Sequence, residues 1–267
     1  MIPEKSRVIL QEALNKGGMV LLDHLGKTTR TTRKESISSV VTQADLASEE
    51  AILAVLSDAP ELFNVISEES GYLNRDSDYT WVVDPLDGTS NFAAGLPWFG
   101  VIIALFHHDT PVLGGMYLPV DKKLYLAEDG GGATCEGEAI CVTTSKRLSE
   151  QLVSYSFDFS GIPGKTEKEM RILEKLSKKV RNIRSTNSLI DFCYVADGRL
   201  GAALNQTTKI WDIGVPWLLI REGGGTVTDI EGNEIKFDLS DRAADQNYTI
   251  LASGAELHKD LLLTTKL

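Results

Sequence analysis

Basic residues are in deficit: 27 Lys and Arg stand against 38 Asp and Glu, a formal net charge of −11. Nucleic acid and anionic membrane surfaces are bound through clustered Lys and Arg, so the charge balance excludes both as partners. Long apolar runs are missing too. Gly100-Val-Ile-Ile-Ala-Leu-Phe106 is far short of the roughly 20 residues that span a bilayer. The N-terminal segment lacks the apolar h-region and small-residue cleavage site of a secretory signal, which predicts a cytoplasmic location. Cysteine is sparse: Cys135, Cys141 and Cys193 include no Cys-x-x-Cys pair and read as reduced thiols, although Cys135 and Cys141 are spaced to face each other across a hairpin. Internal repeats and low-complexity linkers are absent.

What is present is a globular composition, 42% hydrophobic and 24% charged over 267 residues. A chain of this mass buries about 73% of its unfolded surface, enough for a core without staples. The length favours one unit of two intimately packed subdomains, residues 1–145 and 146–267. Leu10, Leu14, Leu21 and Leu25 predict an N-terminal helix, with the disfavoured pair Gly17-Gly18 in its middle. A second helix is expected over Asp45–Ser57, and the Thr-, Ser- and Lys/Arg-rich stretch between them reads as a surface flap or hairpin. From Phe63 to Val142, short β-forming runs between Gly, Pro and Asp predict a largely antiparallel sheet. Beyond Ser145, strands alternate with helices, which predicts a more parallel α/β arrangement. Strands are expected at Leu152–Ser156, Asn182–Ser185, Ala202–Leu204 and Thr249–Ala252.

The most informative segment is Trp81-Val-Val-Asp84-Pro85-Leu86-Asp87-Gly88-Thr89. A buried-type strand ends on Asp84, Pro85 keeps its predecessor extended, and Gly88 permits a tight path into a helix start with free N–H groups. Two carboxylates so placed repel unless a cation lies between them, and oxygen donors without His or Cys select Mg²⁺, Mn²⁺ or Ca²⁺ over zinc. Glu68-Glu69-Ser70 and Trp211-Asp212-Ile213-Gly214 add acidic groups after a strand and before an apolar helix. Each piece also has a plain structural explanation: a strand-to-turn junction, surface glutamates, and Asp212 as a helix N-cap. Other sites fail on spacing. Leu21 stands where a P-loop needs its first glycine, Gly95 where an EF-hand needs its last Glu, and no histidine lies near these segments to support a Ser-His-Asp hydrolase.

Taken together, Asp84-Pro85-Leu86-Asp87-Gly88-Thr89, with Glu68-Glu69-Ser70 before it and Trp211-Asp212-Ile213-Gly214 after it, resembles the inositol monophosphatase family. The likeness extends to Val41-Thr-Gln-Ala-Asp45 and the Gly223–Gly225 helix exit. It implies an α+β/α/β fold, the layered αβαβα sandwich of sugar phosphatases, and Mg²⁺-dependent phosphomonoester hydrolysis. Two or three Mg²⁺ per subunit, replaceable by Mn²⁺, inhibition by Li⁺ and a homodimer are also implied. By this resemblance Glu68, Asp84 and the Leu86 carbonyl hold the first metal, Asp84, Asp87 and Asp212 the second, and Glu68 also a weaker third. Thr89 and Asp45 orient and deprotonate the attacking water, the amides of Gly88 and Thr89 grip the phosphate, and Lys34 belongs to the flap. The substrate side comprises Asp87, Ser188, Leu189, Asn205 and Asp212.

That side departs from the family pattern. Asn187-Ser188-Leu189 stands where Gly-Thr-Ala is common, and Asn205 where a glutamate typically binds an inositol hydroxyl. The expected substrate is a small sugar or polyol phosphate, inositol 1-phosphate first. The alternatives are fructose 1,6-bisphosphate, histidinol phosphate or 3′-phosphoadenosine 5′-phosphate and, more remotely, a non-catalytic phosphate- or metal-binding regulator.

Overall fold

The strand Gly100–His107 is apolar on both faces, and its successive residues enter two different cores. Val101, Ile103 and Leu105 pack with Leu10, Leu14 and Ile52, whereas Ile102, Ala104 and Phe106 pack with Ile213, Val215 and Ala203. Period-two geometry sends neighbours to opposite faces, so an unbroken apolar run marks a strand covered on both sides.

The computed structural model describes residues 2–27, 43–158 and 161–266, and the backbone alone at 32–33 and 40–41. In chain order the elements begin α1 (Ser6–His24), β1 (Thr32–Arg33), β2 (Val40–Val41), α2 (Gln43–Ser57), β3 (Asn64–Ser67), β4 (Gly71–Leu73), β5 (Tyr79–Asp87) and α3 (Thr89–Ala93). There follow β6 (Gly100–His107), β7 (Thr110–Leu118), β8 (Lys123–Glu128), β9 (Gly132–Cys135), β10 (Glu138–Ala139), β11 (Leu152–Ser156), α4 (Lys165–Ser177) and β12 (Asn182–Arg184). The last are α5 (Ile190–Ala196), β13 (Ala202–Thr208), α6 (Ile210–Glu222), β14 (Gly225–Thr228), β15 (Tyr248–Gly254) and α7 (Ala255–Thr265).

The first sheet runs β10-β9-β8-β7-β6-β5-β3-β4 and the second β12-β11-β13-β15-β14. Helices α1 and α2 cover one face of the first sheet, α5 and α6 fill the space between the sheets, and α4 and α7 cover the outer face of the second. The result is the expected αβαβα sandwich. The first sheet is antiparallel except where β3 runs parallel to β5. The second is mixed: β11 pairs in parallel with β12 and β13, while β15 pairs antiparallel with β13 and β14. Strand β14, which immediately follows the Gly223-Gly224 helix exit, and the short pair β9–β10 were not legible from periodicity.

The Gly17-Gly18 pair serves close packing. A Cβ on Gly17 would lie 2.8 Å from Ile52 Cδ1, and one on Gly18 2.3 Å from Tyr117 Cδ1. The glycines cost helix propensity of about 1 kcal/mol each, and α1 gains direct contact with α2 and β7 in return. Strands β1 and β2 pair antiparallel, Thr32 opposite Val41 and Arg33 opposite Val40; Lys34 and the expected flap around it lie outside the described residues. All three cysteines are free, Cys193 buried and Cys141 exposed. Among the described residues no helix is long and apolar enough to cross a membrane.

Candidate active site

Strands β3 and β5 run parallel, with Ser67 opposite Val83, so their C-terminal ends lie side by side. Glu68 leaves β3 with its N–H donating to the Val83 carbonyl at 3.1 Å, which sets it beside Asp84. Asp84 and Asp87 would point to opposite faces of a regular strand. The register against β6 slips between them, Asp84 opposite Ile102 but Asp87 opposite Gly100, and the extra residue re-aims the chain. Asp212 comes from the second half of the chain. It lies within the first turn of α6, not ahead of the helix as the sequence suggested, and its carboxylate accepts the Lys209 N–H at 2.7 Å. The capping function is therefore real, and it also pins the carboxylate toward the other acids.

These four carboxylates feel one another. Burial, then Glu68, Asp87 and Asp212, push the Asp84 carboxyl well above its ordinary range. Asp212 is raised by burial and then by Glu68. Burial raises Asp87 to about 7 against the lowering effect of two hydrogen bonds, from the Ser188 hydroxyl and from the Leu189 N–H at 2.8 Å. Among the described residues no three of the four bring ligand atoms within 4.8 Å of one another, so repelling charges are spread around a small volume rather than clasped. The donor set is hard oxygen throughout: four carboxylates and the carbonyl of buried Leu86. That chemistry fits Mg²⁺ or Mn²⁺ and disfavours zinc.

Thr89 opens α3 directly after Gly88, whose φ of 79° is left-handed and whose Cβ, if it had one, would meet the Trp98 carbonyl at 2.5 Å. Only glycine fits there. The Thr89 hydroxyl is 3.1 Å from the Asp45 carboxylate and 3.0 Å from the Leu86 carbonyl. Asp45 is fully buried on α2, the helix that also sends the Ser48 hydroxyl to the Pro85 carbonyl at 2.8 Å. Gly88 and Thr89 are the N-cap and first residue of α3, positions whose amides have no intrahelical acceptor.

Beside the acids lies an open cleft of about 110 Å³ whose lining includes Asp87, Ser188, Leu189, Asn205 and Asp212. The structure thus brings together every described residue singled out on the substrate side. The Asn205 side-chain oxygen Oδ1 accepts the Thr207 N–H at 2.8 Å, holding the side chain in a local turn.

Two acids escaped the sequence analysis. Glu49, buried on α2, accepts through one oxygen from the hydroxyls of Ser67 and Ser70 and from the N–H groups of Glu69 and Ser70, and so shapes the turn that carries Glu68. Its signal was the polar set Asp45, Ser48 and Glu49, at i, i+3 and i+4 on one helix face. Asp191, buried at the start of α5, accepts from Ser154 and from Ser156 at 3.4 Å under the cleft floor. Nothing in its local spacing distinguishes it from a helix-start aspartate.

The sequence profile of the inositol monophosphatase family matches residues 3–265. The chain belongs to that family. It is 32% identical over 256 residues to an inositol-1-monophosphatase of Caulobacter vibrioides, covering 94% of this chain and 97% of the relative. A fructose-1,6-bisphosphatase/inositol-1-monophosphatase of Aquifex aeolicus is 31% identical, with 94% and 91% covered. The crystal structure of the extragenic suppressor protein suhB from Bartonella henselae superimposes with a TM-score of 0.89 at 30% identity, covering 98% of this chain and 99% of that one. Membership makes the chain a phosphoric monoester hydrolase of a generally Mg²⁺-dependent family acting on small phosphate esters.

Proposed function

We propose that the protein is a Mg²⁺-dependent phosphomonoesterase for a small polyol or sugar phosphate, inositol 1-phosphate foremost, using water as the nucleophile. The observation that carries this reading is the convergence of buried Asp84 with half-buried Asp87, Asp212 and Glu68 beside the Thr89–Asp45 hydrogen bond. Glu68, Asp84, Asp87, Asp212 and the Leu86 carbonyl hold the Mg²⁺ ions. When bound, Mg²⁺ supplies charge neutralisation to the phosphoryl oxygens and acidifies water. Thr89 gives its hydroxyl hydrogen bond to Asp45, leaving its oxygen to accept from the attacking water, and Asp45 is the final proton acceptor. The amides of Gly88 and Thr89 hold the phosphate in line for displacement. Ser188, Leu189 and Asn205 contact the alcohol portion in the cleft. Inhibition by Li⁺ and a homodimer belong to the same reading, and both are checked in one preparation by assay and light scattering.

A second substrate has its own support. Lys165 on α4, paired at 3.5 Å with buried Glu169, donates to Thr207, a residue lining the cleft, and is the cation that a second phosphate group at that edge would meet. Fructose 1,6-bisphosphate therefore stands next to inositol 1-phosphate, in keeping with the double name of the Aquifex aeolicus relative. The deciding experiment is phosphate release from inositol 1-phosphate, fructose 1,6-bisphosphate, histidinol phosphate and 3′-phosphoadenosine 5′-phosphate, each at matched concentration with Mg²⁺ and with EDTA. Turnover greatest on inositol 1-phosphate upholds the first reading, and greatest turnover on the bisphosphate replaces it with the second.

A further inference from the structure

At the opposite end of β5 from the acidic cluster, Asp78, His107 and His108 bring one potential ligand atom each within 4.8 Å of one another. The hairpin geometry explains how. Tyr79 pairs with His107 across β5 and β6, and the His108 N–H donates to the Asp78 carbonyl at 2.8 Å, extending the ladder by one step. Consecutive residues of a strand point to opposite faces. His108 escapes that rule because it is the first residue of the two-residue loop to β7, with φ of 54° in the left-handed region. Glycine and asparagine are the usual occupants of such a position. The turn swings its ring to within 4.4 Å of the His107 ring, and the Tyr79 ring stacks on the other imidazole at 4.6 Å. The Asp78 carboxylate lies 3.9 Å from His108 Nδ1.

We propose that Asp78, His107 and His108 form a surface site for a transition-metal cation of the Zn²⁺ class, separate from the catalytic centre. Ligands at about 2.0–2.2 Å from a tetrahedral ion are roughly 3.4 Å from one another, so the 3.9 Å separation closes with a small side-chain adjustment. Two imidazoles and one carboxylate select zinc, copper or nickel over Mg²⁺, the reverse of the all-oxygen acidic cluster. Asp78 and His108 are exposed, leaving the remaining coordination positions to solvent or to a partner's donor group. Along β5 the step from Asp78 to Asp84 separates the two sites by about 20 Å at strand rise.

The test is a Zn²⁺ titration of the whole protein in saturating Mg²⁺, followed by the ring-nitrogen resonances of its four histidines. His24 and His258 are internal controls: His24 Nδ1 is bonded to the Val20 carbonyl, and His258 is held between Ser253 and Thr228. The rings of His107 and His108 should shift together and saturate with one ion, while the controls stay in place. Since loss of a mere supporting partner costs 10–100-fold in metal affinity, His108→Ala or Asp78→Asn should weaken this binding by about tenfold or more. Phosphate release should be unchanged in both variants. Zn²⁺ that moves neither ring, or that moves His107 equally well in the His108→Ala protein, overturns the site. The readout is independent of turnover, so its failure leaves the phosphatase reading untouched, and the reverse also holds.

Discussion

The backbone N–H of Leu189 donates to the Asp87 carboxylate at 2.8 Å, joining the entrance of α5 to the exit of β5 across 102 positions of chain. The loop that lines the substrate cleft thereby also sets the orientation of a proposed metal ligand. An asparagine at position 87 keeps an oxygen to accept from Leu189 and Ser188 but carries no charge. Asp87→Asn should therefore lower phosphate release by about 10²–10³ or more, the scale of losing a group that stabilises developing charge. In EDTA the same variant should melt at a higher temperature than the parent, because burial and Glu68 already hold the native carboxyl up to about 7. Parallel assays and thermal melts check both halves, and parent-like turnover at saturating Mg²⁺ contradicts the ligand role.

Glu49 provides a test of positioning. Its single oxygen gathers four donors from the turn that carries Glu68. Glu49→Ala should raise the Mg²⁺ concentration for half-maximal activity about 10–100-fold, and Glu49→Gln, which retains an accepting oxygen, should recover most of it. A drop in turnover with no change in Mg²⁺ dependence would speak for a general structural role instead.

How far these features were legible in the sequence follows from the range over which they are encoded. Val101–Phe106 announced a strand because an apolar run is a local pattern, while its burial on both faces emerged only with the two cores it enters, and Asp84-Pro85-Leu86-Asp87 announced a site because its residues are adjacent. The bulge that turns Asp84 and Asp87 to one side depends on register with β6, which no local spacing records. Strand β14 is four residues long and is defined by pairing with β15. Asp191 and Glu49 look like ordinary helix acids until tertiary partners bury them. Asp212 was recognised, but its place inside α6 was not, since the carboxylate that caps the helix is three residues beyond the cap.

Stability should fall on mild acidification through His258. Burial pulls its pKa from 6.5 to about 4, between the Ser253 and Thr228 hydroxyls. In that interval the unfolded chain binds a proton that the folded chain refuses, so stability is complete above pH 6.5 and is lost as pH falls toward 4, by at most about 3 kcal/mol. Urea unfolding at pH 7 and pH 5 should show the loss in the parent, and His258→Asn should flatten this part of the slope whatever its baseline. An unchanged slope removes His258 as the source.

Asn205 tests the substrate side. The cleft already contains Asp158 and Asp191, and a further carboxylate there repels a second phosphate more than a hydroxyl. Asn205→Glu should lower kcat/KM for fructose 1,6-bisphosphate relative to inositol 1-phosphate by about tenfold, equivalent to about 1.4 kcal/mol. Equal effects on both substrates would place the residue outside the specificity contacts.

The central claim is that the carboxylates at the ends of β3 and β5 and in the first turn of α6 work as one Mg²⁺-dependent hydrolytic centre. Its most direct test is inorganic phosphate released from inositol 1-phosphate by the parent protein and by Asp212→Asn, each in EDTA and across a Mg²⁺ titration. The account predicts no release in EDTA, full recovery of the parent with Mg²⁺, and a variant that remains folded yet slower by orders of magnitude at every concentration. Release that persists in EDTA, or an Asp212→Asn protein as fast as the parent, would contradict it.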